Sequence, residues 1–208
     1  MSGEPSDIGL TGIGLIDAAA AGDLAGLRAL FETSELDLNV RDARGRTALM
    51  AATYANRPEA VDLLLRAGAD VDLQDDMLNN PFLYSGAEGL MEILKLTHLA
   101  GADPTIRNRY GGVAIIPASE KGHLDAVRYL LEETDVDVNH INDLGWTALL
   151  EAVILTDGGP VFQQIVAELI AHGADVNIAD GDSVAPLAHA RQRGYREIER
   201  QLVAAGAA

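Results

Sequence analysis

Short apolar runs separated by polar turn residues recur along most of the chain. In residues 46–72, RTALMAATYANRPEAVDLLLRAGADVD, two apolar runs are followed by Gly-Ala-Asp, and most other segments are variants of this pattern. The aspartate that closes the pattern recurs at five places, Asp37, Asp70, Asp103, Asp137 and Asp175. The steps between them are 33, 33, 34 and 38 residues, and a nearly fixed period of this size indicates a repeat array.

The residue that opens the first apolar run keeps the same period. It is found at Thr47, Asn80, Val113, Thr147 and Ala185, again at steps of 33, 33, 34 and 38 residues. In the clearest repeat the pattern predicts an inner helix over 46–55 and an outer helix over 58–66. Pro58 suits a first helical turn, and Gly68 suits the left-handed residue that ends a helix. The sequence therefore predicts stacked helix-turn-helix units.

These segments resemble the ankyrin repeat. The resemblance rests on 47–52 (TALMAA), 63–72 (LLLRAGADVD), the hairpin opening 42–47 (DARGRT), the Gly-His turn 121–123 (KGH) and the closing segment 173–177 (GADVN). It covers about residues 15–206 and implies an all-α ankyrin-repeat solenoid of helix-turn-helix units joined by hairpin loops, about six units including two caps. The units are 15–41, 42–74, 75–107, 108–141, 142–179 and 180–208, called repeats 1 to 6 below.

The repeats are expected to form one domain, 15–208, because each repeat in such an array contacts only its neighbours. Residues 1–14 are rich in Gly, Ser, Pro and Asp and are expected to be a disordered or frayed lead-in. Repeat 1 lacks a hairpin opening, and repeat 6 has a charged outer helix. Both are therefore predicted to be caps with polar outer faces.

Three repeats depart from the common pattern. Repeat 3 has Met77-Leu78-Asn79 where a glycine-containing tip is usual, which indicates either drift in a tolerant repeat or a specialised surface. Pro117 in repeat 4 predicts a short inner helix that starts late. In repeat 5 an insertion of five residues, around 158–162, is expected in the loop between the two helices.

Composition narrows the classes of partner. Asp and Glu number 32 against 15 Lys and Arg, and the resulting charge of −17 repels phosphate backbones and anionic membrane surfaces. No apolar run approaches the roughly 18–20 residues of a membrane-spanning helix. We expect neither nucleic acid nor membrane as a partner, a basic protein as the partner that this charge favours, and a monomeric chain.

Targeting and redox features indicate a cytoplasmic location. The first residues lack the basic and apolar segments of a secretory signal, and the chain contains no cysteine. Lysine occurs only at Lys95 and Lys121, and this bias toward arginine is typical of high-GC bacterial coding. The chain is therefore interpreted as a bacterial, stand-alone ankyrin domain.

Residues that could carry chemistry are dispersed. The five histidines lie in four different repeats with no i,i+4 pair, so neither a metal nor a cofactor is expected. The candidates for acid–base chemistry are Glu120, Lys121, His140, Glu151 and Asp157, all from repeats 4 and 5. We predict that the protein is not an enzyme. The alternative is a small hydrolase or small-molecule-binding protein that uses these polar residues, with the loop at Gly158-Gly159 as a lid.

The resemblance also implies where a partner would bind. In ankyrin repeats the hairpin tips and the exposed positions of the inner helices line a concave face, where partner proteins usually bind. In this chain the face includes aromatic, Met and Arg residues, the types favoured at interface centres. Carried over by position, it holds Arg44, Arg46, Tyr54, Met77, Asn79, Glu88, Arg109, Tyr110, Glu120, Lys121, Asp143, Leu144, Trp146, Ile154 and Leu155. The predicted function is the binding of a partner protein through this face.

Trp146 is the single tryptophan and lies at a hairpin tip where packing does not require a large side chain. It is either core beneath the insertion or exposed beside Tyr110 and Leu144. In the second case it is the first candidate for a binding anchor. The two interpretations make opposite predictions for truncation of this side chain.

Overall fold

The computed structural model describes residues 7–32 and 36–208, and this part of the chain consists of helices and turns without a strand. The helices are α1 (Asp7–Ala21), α2 (Leu24–Phe31), α3 (Ala48–Tyr54), α4 (Pro58–Ala67), α5 (Pro81–Ala87), α6 (Met91–Leu99), α7 (Ile115–Glu120), α8 (Leu124–Glu133), α9 (Ala148–Ile154), α10 (Pro160–Ala171), α11 (Pro186–Arg193) and α12 (Arg196–Ala204). Each predicted repeat contains two consecutive helices. The predicted fold class is confirmed.

The chain divides into two compact bodies, Met1–Ser85 with Glu92–Asp103, and Gly86–Met91 with Pro104–Ala208. In the first body the inner helices α1 and α3 pack together, as do the outer helices α2 and α4. In the second body α9 packs between α7 and α11, while α10 packs against α8 and α12. Each body is thus a layer of inner helices on a layer of outer helices. The single domain 15–208 stays a prediction.

Side-chain caps explain where several inner helices begin. The Oγ1 atoms of Thr47 and Thr147 accept the backbone N–H of Met50 and Leu150, both at 3.2 Å. Asn80 does the same for Leu83 at 2.8 Å. These bonds satisfy N–H groups that have no partner within the helix. The helix starts predicted from the period of the sequence are confirmed at these three sites.

Repeat 4 has the short inner helix that Pro117 predicts. Helix α7 has 6 residues against 7 in α3, and it begins one position later in the repeat. Pro117 is its third residue, within the first turn, where a missing backbone N–H costs no helical hydrogen bond.

The predicted lead-in is wrong for residues 7–14, which form the first half of α1, while residues 1–6 lie outside the part that the structure describes. Close packing explains the longer helix. A Cβ on Gly12 would lie 2.9 Å from Cγ2 of Val40, so only glycine allows this approach. Leu15 and Ile16 on the following turn are buried.

The expectation that the insertion in repeat 5 lies wholly in a loop is also wrong. The loop between α9 and α10 covers residues 155–159, whereas the corresponding loop in repeat 2 covers 55–57. Helix α10 has 12 residues against 10 in α4, so part of the insertion is helical. Pro160 starts this helix, and Phe162 packs 3.3 Å from the Cβ position of Gly122 in repeat 4.

The core is built mainly from small and aliphatic side chains. Leu49, Leu64, Leu94, Leu130 and Leu169 are fully buried, with alanines between them. Phe82 is a buried aromatic within this aliphatic core. Among the described helices none is both long and apolar enough to cross a membrane.

Candidate partner-binding surface

In the described residues five hairpins precede inner helices, and each is closed by one Asp or Asn side chain. In every case the Oδ1 atom accepts the backbone N–H groups two and four residues further on, at 2.8–3.0 Å. The five residues are Asp42, Asp75, Asn108, Asn142 and Asp180. The sequence did not predict this role, although the spacing of these residues, 33, 33, 34 and 38, is the period of the repeat.

The hairpin tips hold one residue each in the left-handed region. In three repeats it is a glycine, Gly45, Gly111 or Gly145, with φ of 69–79°. In repeat 3 it is Leu78, with φ of 55°, and its side chain is 46% exposed beside Met77 at 47%. A bulky residue at positive φ is strained, so this tip presents apolar atoms to solvent at a cost to the backbone.

Neighbouring tips within each body are joined through their backbones. The N–H of Asp76 donates to the carbonyl of Arg44 at 3.1 Å, and the N–H of Asp143 donates to the carbonyl of Tyr110 at 2.9 Å. A Cβ on Gly45 would lie 2.5 Å from Oδ1 of Asp76, and one on Gly111 would collide with Asp143. Because glycine has no Cβ, consecutive tips can lie against each other. The backbone hydrogen bonds then fix the position of each tip relative to the next.

In the first body, two of the predicted site residues belong to a structural network. The Tyr54 hydroxyl donates to Oδ2 of Asp75 at 2.6 Å and accepts from Nδ2 of Asn79 at 2.9 Å. Its ring meets Tyr84 edge to face, with centroids 4.5 Å apart. Burial, together with Asp75, raises the pKa of Tyr54 to about 12, so that its hydroxyl remains a donor.

The other predicted residues of this body differ in their exposure to solvent. Arg46 is half-buried and is bound to the carboxylate of Asp42, with Nη2 2.6 Å from Oδ2. Arg44 is exposed at the tip of repeat 2, and Met77 is exposed at the tip of repeat 3. Arg44 and Met77 are therefore more accessible to a partner protein than Tyr54 and Asn79.

In the second body, Tyr110 and Leu144 form the most open part of the predicted surface. They are 50% and 52% exposed, and they lie on adjacent tips joined by the bond from Asp143 to Tyr110. The guanidinium of Arg109 lies 4.8 Å from the centroid of the Tyr110 ring, within the range of a cation–π contact. Asp143 is exposed between them.

Trp146 is neither fully buried nor open to solvent, so neither of the two predicted extremes is found. Its backbone N–H donates to Oδ1 of Asn142 at 3.0 Å. This bond fixes the backbone position from which the Trp146 side chain projects. Ile154 is half-buried, and Leu155, at the end of the same inner helix, is 46% exposed. These residues extend the apolar surface of repeat 5.

Two of the predicted charged residues pair with each other. Nζ of Lys121 lies 2.5 Å from Oε1 of Glu88, and both side chains are partly exposed. An ion pair at such a surface contributes little to stability, typically 0–1 kcal/mol. The half-buried side chain of Glu120 forms no ion pair or hydrogen bond within the described residues.

Glu151 is an almost completely buried carboxyl of the second body, with 5% exposure. Its Oε1 accepts a hydrogen bond from Nδ2 of Asn142 at 2.8 Å. Burial raises the pKa of Glu151 to about 7, and repulsion from Glu120 adds to this, whereas the bond from Asn142 acts in the opposite direction.

The remaining candidates for catalysis are engaged elsewhere. Nε2 of His140 lies 2.6 Å from the carbonyl oxygen of Gly111, and Oδ1 of Asp157 accepts the N–H of Gly159 at 2.8 Å. Lys121 is paired with Glu88. Across the described residues, no three His, Asp or Glu side chains are grouped as metal ligands.

Known proteins share both this sequence pattern and this fold. The family described as ankyrin repeats, in three copies, matches residues 10–75 and 82–180. The ankyrin repeat protein YahD of Escherichia coli (strain K12) is 40% identical over 190 residues, which cover 91% of this chain and 94% of that protein.

Solved structures of bacterial and other repeat proteins agree with this match. An ankyrin repeat domain from Acinetobacter baumannii AYE is 50% identical, with a TM-score of 0.89 over 92% of this chain and 97% of that chain. The ankyrin repeat protein EF0377 is 38% identical, with a TM-score of 0.88 over 96% of this chain and 98% of that chain.

Proposed function

Because the chain belongs to the ankyrin-repeat family, we propose that it is a non-enzymatic module that binds a partner protein through its hairpin tips and inner helices, the predicted concave face. Ankyrin repeats are generally protein-protein interaction modules. The observation that carries the proposal is the pair Tyr110 and Leu144, two large side chains about half exposed on tips that a backbone hydrogen bond holds side by side. Because the backbones of the two tips are already joined, a partner would have to order less of the chain on binding than at two independent loops.

The hydrogen bonds and ion pair made by the polar residues of repeats 4 and 5 support binding over catalysis. His140, Asp157 and Lys121 are each engaged with a separate structural partner. A hydrolase needs an acid or base within reach of a nucleophile and of a substrate position. The hydrogen bonds in repeats 4 and 5 instead fix hairpins and loops, so we do not adopt the hydrolase or small-molecule alternative.

Charge supports a basic protein as the partner. With a net charge of −17, the chain attracts positively charged surfaces and accelerates their association at low ionic strength. The same charge disfavours nucleic acid and anionic membranes. We further propose that the protein acts as a monomer in the cytoplasm.

The apolar part of the surface is tested by paired substitutions after the partner has been captured from the source organism. Tyr110→Ala and Leu144→Ala should each weaken binding by roughly 1–2 kcal/mol or more, with the melting temperature nearly unchanged, because both side chains are half exposed. Leu99→Ala is the matched control. Leu99 is 81% exposed at the end of outer helix α6 and belongs to no hairpin tip, so its loss should not affect binding.

Trp146→Ala tests the anchor hypothesis at its half-buried position. We propose that binding weakens by about 2 kcal/mol or more. Equal loss of binding in the Leu99→Ala variant, or a capture that is unaffected by all three tip substitutions, would refute the proposed surface. A strongly destabilised Trp146→Ala variant with fully shielded fluorescence would assign this residue to the core and remove it from the surface.

A further inference from the structure

One side chain, Asn142, connects a buried carboxyl to the hairpin tip of repeat 5. Its Oδ1 atom accepts the backbone N–H groups of Leu144 and Trp146, both at 3.0 Å. Its Nδ2 atom donates to Oε1 of Glu151 at 2.8 Å, and Glu151 is 5% exposed on α9. The two ends of one amide group therefore bind the tip and the carboxyl at the same time.

The equivalent helix positions in other repeats carry different chemistry. In repeats 2 and 4 they are Ala51 and Pro117, which have no titratable side chain. In repeat 6 the acid is on the hairpin instead, and the N–H of Val184 and the ring of His189 lower the pKa of Asp180, so that it stays ionised. Repeat 5 differs, because its acid is on the helix and its donor is a neutral amide.

Ionisation of Glu151 changes the energy of this arrangement. The neutral carboxyl accepts from Asn142 without placing a charge in the interior. The carboxylate is a buried charge with a neutral donor, and burial therefore raises the pKa of Glu151 to about 7, with repulsion from Glu120 adding to the effect. A tip that opens and admits water to the carboxylate lowers this cost. Loss of the proton therefore favours a looser tip.

We propose that Asn142 and Glu151 form a pH-sensitive switch, in which the protonated carboxyl keeps the tip of repeat 5 closed and the ionised carboxyl loosens it. This tip carries Leu144 and is bonded to Tyr110 through the N–H of Asp143, so loosening it disturbs the proposed binding surface. The inference rests on the proposed function and adds its regulation by pH. Partner binding should weaken as pH rises.

The size of the effect follows from proton linkage. An opened tip returns the pKa of Glu151 toward its ordinary value of 4.5, against about 7 in the closed tip. Between these values each pH unit favours opening about tenfold, and the effect levels off once Glu151 is ionised in the closed tip as well. The transition should therefore be complete just above pH 7.

Other charged groups lie on the elements packed against α9. Those on α7, α10 and α11, or at their ends, are Glu120, Lys121, Glu168, His189, Arg191 and Arg193. The hairpin and the loop after α9 add His140, Asp143 and Asp157. Lys121, Glu168, Arg191 and His189 are each paired with a group other than Glu151. Of all these groups, Glu120 is the one that acts on the carboxyl of Glu151.

The switch is tested by the fluorescence of Trp146, the single tryptophan, whose N–H is bound to the same oxygen of Asn142. Its emission maximum and its quenching by acrylamide are measured on the full-length protein from about pH 4.5 to 8.5. We expect one proton-linked transition toward red-shifted emission that acrylamide quenches more strongly. Glu151→Gln keeps an acceptor for Asn142 and should show no transition. Glu120→Gln should move the transition to lower pH.

Imidazoles titrate in the same pH range, so His140→Gln and His189→Gln are the controls, and the transition should persist in both. Far-UV circular dichroism at each pH checks that the helices are intact. A Trp146 signal that does not depend on pH, or a transition that persists in Glu151→Gln, would overturn the inference.

Partner binding separates this inference from the proposed function. The wild type should bind a captured partner about tenfold more weakly at pH 8 than at pH 5.5, whereas Glu151→Gln should bind equally at both. The same pH dependence in both proteins would overturn the regulation, even where Tyr110→Ala weakens binding. A partner indifferent to Tyr110→Ala and Leu144→Ala would instead refute the proposed function, and the Trp146 transition would still support the switch.

Discussion

Asn142 donates its Nδ2 hydrogen to Oε1 of Glu151 at 2.8 Å, nine residues further along the chain. The equivalent pair in repeat 6, Asp180 and His189, has the same separation and the opposite chemistry, with the acid on the hairpin and the ring nitrogen 2.7 Å away on the helix. Asparagine at position 142 therefore matches the acid at 151, as aspartate at 180 matches the imidazole at 189.

Asn142→Asp tests this matching. Oδ1 would still close the hairpin, but the second oxygen would face the carboxyl of Glu151 where the amide now donates. We expect a loss of roughly 1–3 kcal/mol in the free energy of unfolding at neutral pH, measured by urea denaturation. Asn108→Asp is the matched control, because the equivalent helix position there is Pro117 and carries no carboxyl. Equal destabilisation by both substitutions would contradict this account.

Glu151 should make stability depend on pH. Its pKa is raised from 4.5 to about 7 in the folded protein, so between these values the folded state holds a proton that the unfolded state has lost. The contribution of Glu151 to stability is therefore greatest below about pH 4.5 and is lost as pH rises through 7.

Glu151→Gln removes this dependence. At pH 8 the variant should be more stable than the wild type by up to about 3 kcal/mol, since one unit of pKa corresponds to about 1.4 kcal/mol, and the difference should shrink toward pH 5. Urea unfolding at several pH values measures it. Glu92→Gln, at an exposed acid on α6, is the control for the chemical change. A profile for Glu151→Gln that runs parallel to that of the wild type would show that burial does not raise the pKa of Glu151.

Leu78→Gly tests the strain at the tip of repeat 3. The φ of 55° disfavours leucine, and its half-exposed side chain contributes little burial, so glycine should stabilise the protein by roughly 0.5–1 kcal/mol. The reverse change, Gly45→Leu, should destabilise strongly, because its Cβ would lie 2.5 Å from Oδ1 of Asp76. Thermal unfolding compares the two. Destabilisation by Leu78→Gly would mean that the leucine contributes packing that outweighs the strain.

Gly158→Ala tests how the loop of repeat 5 is attached to repeat 6. Gly158 lies under the ring of Tyr195, whose hydroxyl donates to the carbonyl of Thr156 at 2.6 Å. A Cβ at Gly158 would lie 2.6 Å from this ring. We expect Gly158→Ala to cost at least ~1 kcal/mol more than Gly173→Ala.

Gly173 is the matched control because it also has a positive φ, 90° against 66°, but its Cβ would meet open space. Chemical denaturation of both variants separates the steric contact from the backbone conformation. Adding Tyr195→Ala to Gly158→Ala should recover the steric part in a double-mutant cycle. Equal costs at the two glycines would mean that the tyrosine moves aside freely.

Several helix starts follow from the sequence because they depend on local preferences that recur with the period. Thr47 and Thr147 cap their helices as the pattern predicts. Pro117 shortens α7 for the same local reason. The family assignment is likewise confirmed by the match to ankyrin repeats over residues 10–75 and 82–180.

Features that depend on a contact between distant residues did not follow from the sequence. The start of α1 depends on the close approach of Gly12 to Val40, and the division of the insertion between loop and helix depends on Phe162 packing over Gly122. The bond from Asn142 to Glu151 spans nine residues, and neither residue type alone predicts it.

The closing residue of each hairpin uses a single oxygen atom for the backbone, and this atom is common to Asp and Asn. The hairpin is therefore insensitive to the difference between Asp and Asn. The second terminal atom, Oδ2 in Asp or Nδ2 in Asn, remains available to accept from or donate to a side chain on the inner helix. For protein engineering, positions 142 and 151, or 180 and 189, constitute a transferable two-residue module. Exchanging both members between repeats would change the local charge and proton affinity of an inner helix while leaving the backbone connections as they are.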